Sequence, residues 1–193
     1  MLTEARGDYV WFVDSDDALE PGAISRLHSH QPDLVLCDYR IWRSQQRFKH
    51  RWRGENNMRT FAGPKNTLSR DSLQLFEGIY KQGCLHIWSK ISKRSLWGDD
   101  LRFQEGRVME DVVVTPQLML RAQSYFYLPE IWVSYRKREG SILMTWSQKK
   151  IDDMAIACKG VLSSWVTAHP QLSPNARFYF GHLGVLFAVP EDE

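Results

Sequence analysis

Long apolar runs, abundant cysteine and a dominant charge are all missing from this sequence. Its three cysteines, Cys37, Cys84 and Cys158, are odd in number and far apart, which excludes a disulfide framework and a CxxC metal motif. A reducing cytoplasm is therefore the expected compartment. With 25 basic residues against 23 acidic ones the formal charge is +2, too small a field to draw the whole chain onto nucleic acid or anionic lipid. No stretch reaches the roughly 20 apolar residues of a spanning helix. The most apolar segment, Phe178 to Val189, is interrupted by Gly181, His182 and Gly184 and reads as a packing or membrane-surface helix. The first residues carry neither the basic start nor the apolar run of a secretory signal, and there is no glycine-rich phosphate loop, internal repeat or low-complexity tract.

What is present suits one packed core: 193 residues, 43% hydrophobic and 12% aromatic. Tyr9 to Val13 is a continuous apolar and β-branched run, as in a strand buried on both faces of a parallel sheet. It ends abruptly at Asp14. Pro21 then suits the first turn of a helix whose apolar face is Ile24, Leu27 and His28, and a second strand is expected over Leu34 to Tyr39. This β, acidic loop, α, β order predicts an α/β fold with its site at the carboxyl end of a strand. The run from Arg43 to Arg59 loses apolar periodicity and gathers basic residues around Phe48 and Trp52, so it reads as a solvated loop or exposed hairpin. Further on, Ser69 is a candidate cap for a helix to about Tyr80. Leu85 to Trp88 is a short strand candidate, and Met109 to Arg121 a helix opened by two acids. Tyr125 to Tyr127 and Ile131 to Tyr135 read as two strands around Pro129. Ile151, Met154, Cys158, Val161, Leu162 and Trp165 recur at helical spacing.

Three carboxylates in four positions, Asp14, Asp16 and Asp17, repel one another directly after a buried strand, and a hard divalent cation would relieve that repulsion. Mg²⁺ or Mn²⁺ suits such oxygen ligands, because these ions keep waters and bridge to substrate phosphates. A solvent-facing turn before a helix explains the same residues without a metal. A second group comprises Trp88, Lys90, Lys93 and Arg94, then Glu105-Gly106 and Glu110-Asp111. Here too a plainer account exists: acids at a helix start interact with its amide-rich end, Trp88 fills a core, and the lysines make a wet face.

In their order along the chain these blocks resemble glycosyltransferase family 2, of the GT-A fold and bacterial polysaccharide type. Gly7-Asp8-Tyr9-Val10-Trp11-Phe12-Val13-Asp14-Ser15-Asp16-Asp17 is similar to the family's strand and DxD motif, followed by Leu19, Glu20, Pro21 and Gly22. Trp88-Ser89-Lys90-Ile91 through Arg94 resembles its W-x-K-x-x-x-R stretch, and Glu105-Gly106 with Glu110-Asp111 its acceptor-side acidic motif. Tyr135-Arg136-Lys137-Arg138 with Ser141-Ile142 is similar to the segment closing the catalytic domain. The resemblance implies an inverting sugar transfer from a nucleotide-diphosphate sugar to a saccharide, lipid-linked saccharide or cell-surface polysaccharide. Asp14 and Asp16 would hold Mn²⁺ or Mg²⁺ and the donor, with Asp17 supporting them. Asp111 would take the acceptor's proton, assisted by Glu110. Lys90 and Arg94, or Arg136 and Arg138, would contact phosphate.

The family's strands and acidic motif upstream of DxD have no counterpart before Asp14. The expectation is thus a truncated GT-A sheet flanked by helices over residues 1–145, with a C-terminal helical segment over 146–193 packing on it. Its unpaired sheet edge would be closed by a second copy or a complementing chain. A non-enzymatic remnant or interaction module without donor turnover is the alternative function. No nucleic-acid partner is expected beyond what the basic patch up to Arg59 suggests, and that loop with the apolar C-terminal segment permits peripheral attachment at the inner face of a membrane.

Overall fold

A computed structural model describes residues 2–24, 31–43, 52–106 and 110–137, together with 148, 151, 152 and 155. Six strands form one mixed sheet: β1 (Tyr9–Trp11), β2 (Ala18–Leu19), β3 (Leu34–Trp42), β4 (Leu68–Ser69), β5 (Lys90–Lys93) and β6 (Tyr125–Arg136). Their order is β1-β5-β3-β6-β2, with β4 pairing off this path to β6. Among these described strands β3 and β6 pair in parallel and the remaining pairs are antiparallel. Among the described residues the sheet is accompanied by the α-helices α1 (Ser72–Gln82) and α2 (Glu110–Arg121). The α/β class expected from the sequence is therefore observed.

β3 is the central element, and its alternation builds both halves of the core. Leu34 and Leu36 face one way, joining Tyr125 and Tyr127 of β6 under Leu75, Phe76 and Ile79 of α1 and Met119 of α2. Val35, Cys37, Tyr39 and Ile41 face the other way, against Trp88, Ile91, Phe126, Trp132 and Val133. This is the two-residue period of a strand buried on both sides. Helix α1 lies close to the segment before it. Ala62 donates its N–H to the Gly78 carbonyl at 3.0 Å, and a Cβ at Gly78 would stand 2.1 Å from Phe61 Cε2. Glycine is what lets Phe61, 2% exposed, pack there. Gly83 ends the helix in the left-handed region, its N–H turned back to the Ile79 and Tyr80 carbonyls.

Several expectations change in detail. β1 is not a doubly buried parallel strand; it stands at one end of the strand path, antiparallel to β5. Its rings tolerate that position because their polar tips are used: Tyr9 donates to Pro32 O at 2.6 Å and Trp11 Nε1 to Trp88 O at 2.8 Å. Asp71, not Ser69, caps α1, accepting from Gln74 N at 3.0 Å, while Ser69 lies in β4. The pair of strands around Pro129 is the single strand β6. Its register against β3 jumps from Cys37↔Leu128 to Asp38↔Ile131, and this irregularity accommodates a proline that has no N–H for the ladder. Leu85 to Trp88 is not a strand either, because residues Ile87–Ser89 make a 3-10 turn leading into β5. Glu110 opens α2 as expected. In the expected C-terminal helix, residues 148, 151, 152 and 155 are helical; Leu27, His28, Met109, the rest of that segment with its apolar Phe178 to Val189 stretch, and residues 44–51 of the basic loop lie outside the described residues. Among the described residues no helix is long and apolar enough to cross a membrane.

Candidate functional site

The acidic turn starts where β1 ends. Asp17 N donates to Asp14 O at 3.0 Å, closing the turn. The chain then crosses to the far end of the sheet, where Ala18 and Leu19 pair with Ser134 and Val133 of β6. Asp17 Oδ1 accepts the Arg136 N–H at 2.8 Å. Its Oδ2 is buried without a hydrogen-bond partner. Burial above all, then the Asp14 and Asp16 charges, pushes the Asp17 carboxyl up to about 6 despite the Arg136 N–H. Asp14 is also raised, first by partial desolvation and then by Asp16 and Glu110.

That last influence joins the two acidic blocks, and an apolar cluster is the reason they meet. Phe12, two residues before Asp14, packs on Trp97 at 4.9 Å and on Phe103 at 5.0 Å between ring centroids. The same cluster contains Ile87 and, from α2, Val114 and Leu118. It draws the first turn of α2 to the end of β1. The Asp111 carboxyl is pushed up to about 6, chiefly by burial and then by Glu110, with a smaller contribution from Asp14. The Ile87 amide and the Lys90 charge oppose that rise.

The turn beside Asp111 is held by side chains. Lys90, 1% exposed, directs Nζ at Cys84 O and His86 O, both at 2.8 Å, and at Ser89 Oγ at 3.0 Å. Its three donors are engaged within the chain. Burial lowers its ammonium to about 8, against the influence of Cys84, Asp111 and Cys37. Thr115 Oγ1, on α2, donates to Leu85 O at 2.6 Å. Trp88 is 4% exposed and stacks between His86 at 4.8 Å and Tyr135 at 5.5 Å, with Tyr39 edge-on at 4.7 Å. Burial and then Lys90 bring His86 down to about 4, so it is neutral in this stack at ordinary pH. Arg94 Nε donates to Gly7 O at 2.9 Å, and the Arg136 guanidinium lies 4.6 Å over the Trp42 ring. Arg138 is outside the described residues. Reading the sequence singled out Trp88 and Lys90 but passed over His86 and Thr115. Thr115 stands one helical turn after Asp111, a visible spacing whose partner at Leu85 only the fold supplies.

For a divalent cation the donor chemistry is suitable, since the carboxylate oxygens of Asp14, Asp16 and Asp17 are hard ligands and Asp17 Oδ2 is a buried oxygen with nothing to accept from. Among the described residues, however, no three carboxylate, histidine or cysteine groups are arranged to hold a metal ion. A Mg²⁺-type site of one or two carboxylates completed by substrate phosphates needs no such trio.

No protein-family model matches the chain. Among curated proteins it is 26% identical over 159 residues to the glycosyltransferase GlyA of Streptococcus pneumoniae serotype 4, covering 77% of this chain and 22% of that protein. Among solved structures it is similar to S. aureus TarS 1-349 in complex with UDP-GlcNAc, with a TM-score of 0.61, 20% identity, and coverage of 86% of this chain and 44% of that one. TarS 1-349 by itself matches with a TM-score of 0.55 at 19% identity, over 86% of this chain and 42% of that one. The chain thus spans less than half the length of these proteins. At such identities the likeness establishes the fold: a mixed sheet flanked by helices, of GT-A-like topology.

Proposed function

We propose that this chain carries the metal-side and acceptor-side portion of an inverting glycosyltransferase working on the cytoplasmic side. The donor would be a nucleotide-diphosphate sugar, with UDP-GlcNAc, the ligand of the similar TarS structure, as the first one to try. The acceptor would be a saccharide or lipid-linked saccharide. One observation carries the reading: the Asp14 block and the Glu110-Asp111 block, remote in sequence, fall within electrostatic reach of each other. Asp111 has the character of a proton acceptor, a partly buried carboxylate raised toward neutrality. Asp14 and Asp16, with Asp17 behind them, would hold Mn²⁺ or Mg²⁺, which supplies charge stabilisation to a departing diphosphate. Replacing Asp111 by Asn is expected to abolish transfer and leave calorimetric binding of UDP-GlcNAc with Mn²⁺ intact. An unchanged transfer rate removes Asp111 from the role.

A second reading, an interaction module without donor turnover, is supported by the absence of a metal-holding trio among the described residues and by the engagement of all three Lys90 donors inside the chain. On the described residues alone it has the more direct support. The same calorimetry separates the two: metal-dependent UDP-GlcNAc binding by the folded chain rejects the module, and no heat at millimolar ligand rejects a donor site in this chain.

A further inference from the structure

We propose that Glu20, Ser134 and Arg40 are positioning residues for the acidic turn, completing with Asp17 a clasp that pins the far end of the turn to β6; this rests on the reading of Asp14 and Asp16 as the residues that hold the divalent ion. β2 is two residues long, and the side chains of both Ala18 and Leu19 are exposed. Burial of apolar surface therefore does little to fix it, and polar contacts take that part. Glu20 donates its N–H to Trp132 O at 2.9 Å, and Ala18 stands opposite Ser134. Hydrogen-bonded pairs recur at every second residue of an antiparallel ladder, so the next pair in this register would set Asp16 against the Arg136 N–H. Asp17 Oδ1 takes that N–H instead, at 2.8 Å. A side chain stands in for the backbone, and the chain leaves the ladder in time to fold back on Asp14 O, which accepts the Asp17 N–H at 3.0 Å.

The other end of this segment is held by side chains of two neighbouring strands. Ser134 of β6 and Arg40 of β3 are register partners. Arg40 Nε donates to Ser134 Oγ at 2.7 Å, its Nη2 reaches Glu20 Oε1 at 2.7 Å, and the Ser134 hydroxyl donates to the same Glu20 oxygen. An exposed ion pair contributes little by itself. Here the serine that joins the pair is 3% exposed, and its charge-assisted bond gives the Glu20 carboxylate a defined place. Arg40 also neutralises Glu20, so this acid does not add to the repulsion among Asp14, Asp16 and Asp17. Fixing the segment at Asp17 and at Glu20 removes conformational freedom that the turn would otherwise lose when an ion draws its carboxylates together. A strand that buries neither of its side chains has no core to serve. What its fixation secures is the turn before it.

Two variants of the full chain test this, Ser134→Ala, which removes the shared hydroxyl, and Arg40→Met, which removes the guanidinium from a half-exposed position. Neither residue belongs to the proposed ion site. The first readout is hydrogen exchange of the Glu20 amide without metal, referenced to the β3 amides of Val35 and Leu36. The second is the Kd for Mn²⁺, by calorimetry with UDP-GlcNAc present. Each variant should speed Glu20 exchange about fivefold, the effect of one lost hydrogen bond, with the reference amides unchanged. The Mn²⁺ Kd should rise by about the same factor at unchanged stoichiometry. Simple loss of folded protein would lower the stoichiometry and leave the Kd as it was. Should Ser134→Ala fail to fold, Arg40→Met alone decides. Glu20 exchange at the parent rate overturns the clasp, and faster exchange with the parent Kd overturns its positioning role. A parent chain that takes up no Mn²⁺ sinks the metal reading and this inference with it, whereas a parent and variants that bind the ion equally well sink the inference alone.

Discussion

Asp111 and Asp17 are two carboxylates whose surroundings oppose ionisation, and His86 is a base whose surroundings oppose protonation. Both aspartates are raised to about 6 from an ordinary value of about 3.9. A raised folded-state pKa stabilises the fold fully below about pH 4, and that contribution is lost as the pH rises through about 6. Thermal unfolding of Asp111→Asn and Asp17→Asn should accordingly show a higher Tm than the parent at pH 8 and little difference at pH 4. In Asp17→Asn the amide oxygen still accepts the Arg136 N–H. His86 works in the opposite sense. Its value of about 4 means a contribution present above about pH 6.5 and lost as the pH falls through about 4. His86→Gln should therefore flatten the acid side of the stability profile. Metal has a defined effect at this scale too. If Asp17 and its neighbours take Mn²⁺, the ion should raise Tm at pH 7.5, and Asp14→Asn should cancel the rise. An equal rise in both proteins places the ion elsewhere.

The elements around the site are made by local chemistry that the sequence partly displays. Helix α1 depends on a cap, a glycine end and one close approach. Asp71→Ala should cost about 1 kcal/mol. Gly78→Ala should cost about 1–3 kcal/mol in denaturant unfolding, despite alanine's better helix propensity, because the added methyl meets Phe61. A neutral or stabilising result would show that Phe61 can move. The acids at the start of α2 were visible in the sequence, as was the apolar run of β3. The turn at Ile87–Ser89 was not. Its apolar residues suit a strand, but the carbonyls of Cys84, Leu85 and His86 just before it are taken by the side chains of Lys90 and Thr115 and not by a neighbouring strand. The single strand through Pro129 was equally hidden, since proline ordinarily interrupts a ladder and only the register jump against β3 admits it.

At the scale of the molecule, the site exists because one apolar cluster joins the end of β1 to the start of α2. Leu118 is fully buried in that cluster, and Leu118→Ala should cost about 2–5 kcal/mol. The informative readout is the Asp14 titration in the variant that remains folded. Loosening α2 should move Glu110 away and lower the Asp14 value, whereas an unchanged value would mean that the two blocks are held together by something else. By itself the sequence determined which residue types follow which strand, that a strand runs from Leu34, and that the class would be α/β, since periodicity follows from local order. The tertiary structure alone decided that β1 stands at the end of the strand path, that Lys90 spends its donors inside the chain, and that Asp14 and Asp111 share a field. Those outcomes depend on which distant groups satisfy a buried amide, carbonyl or ammonium, and no short-range pattern carries that information.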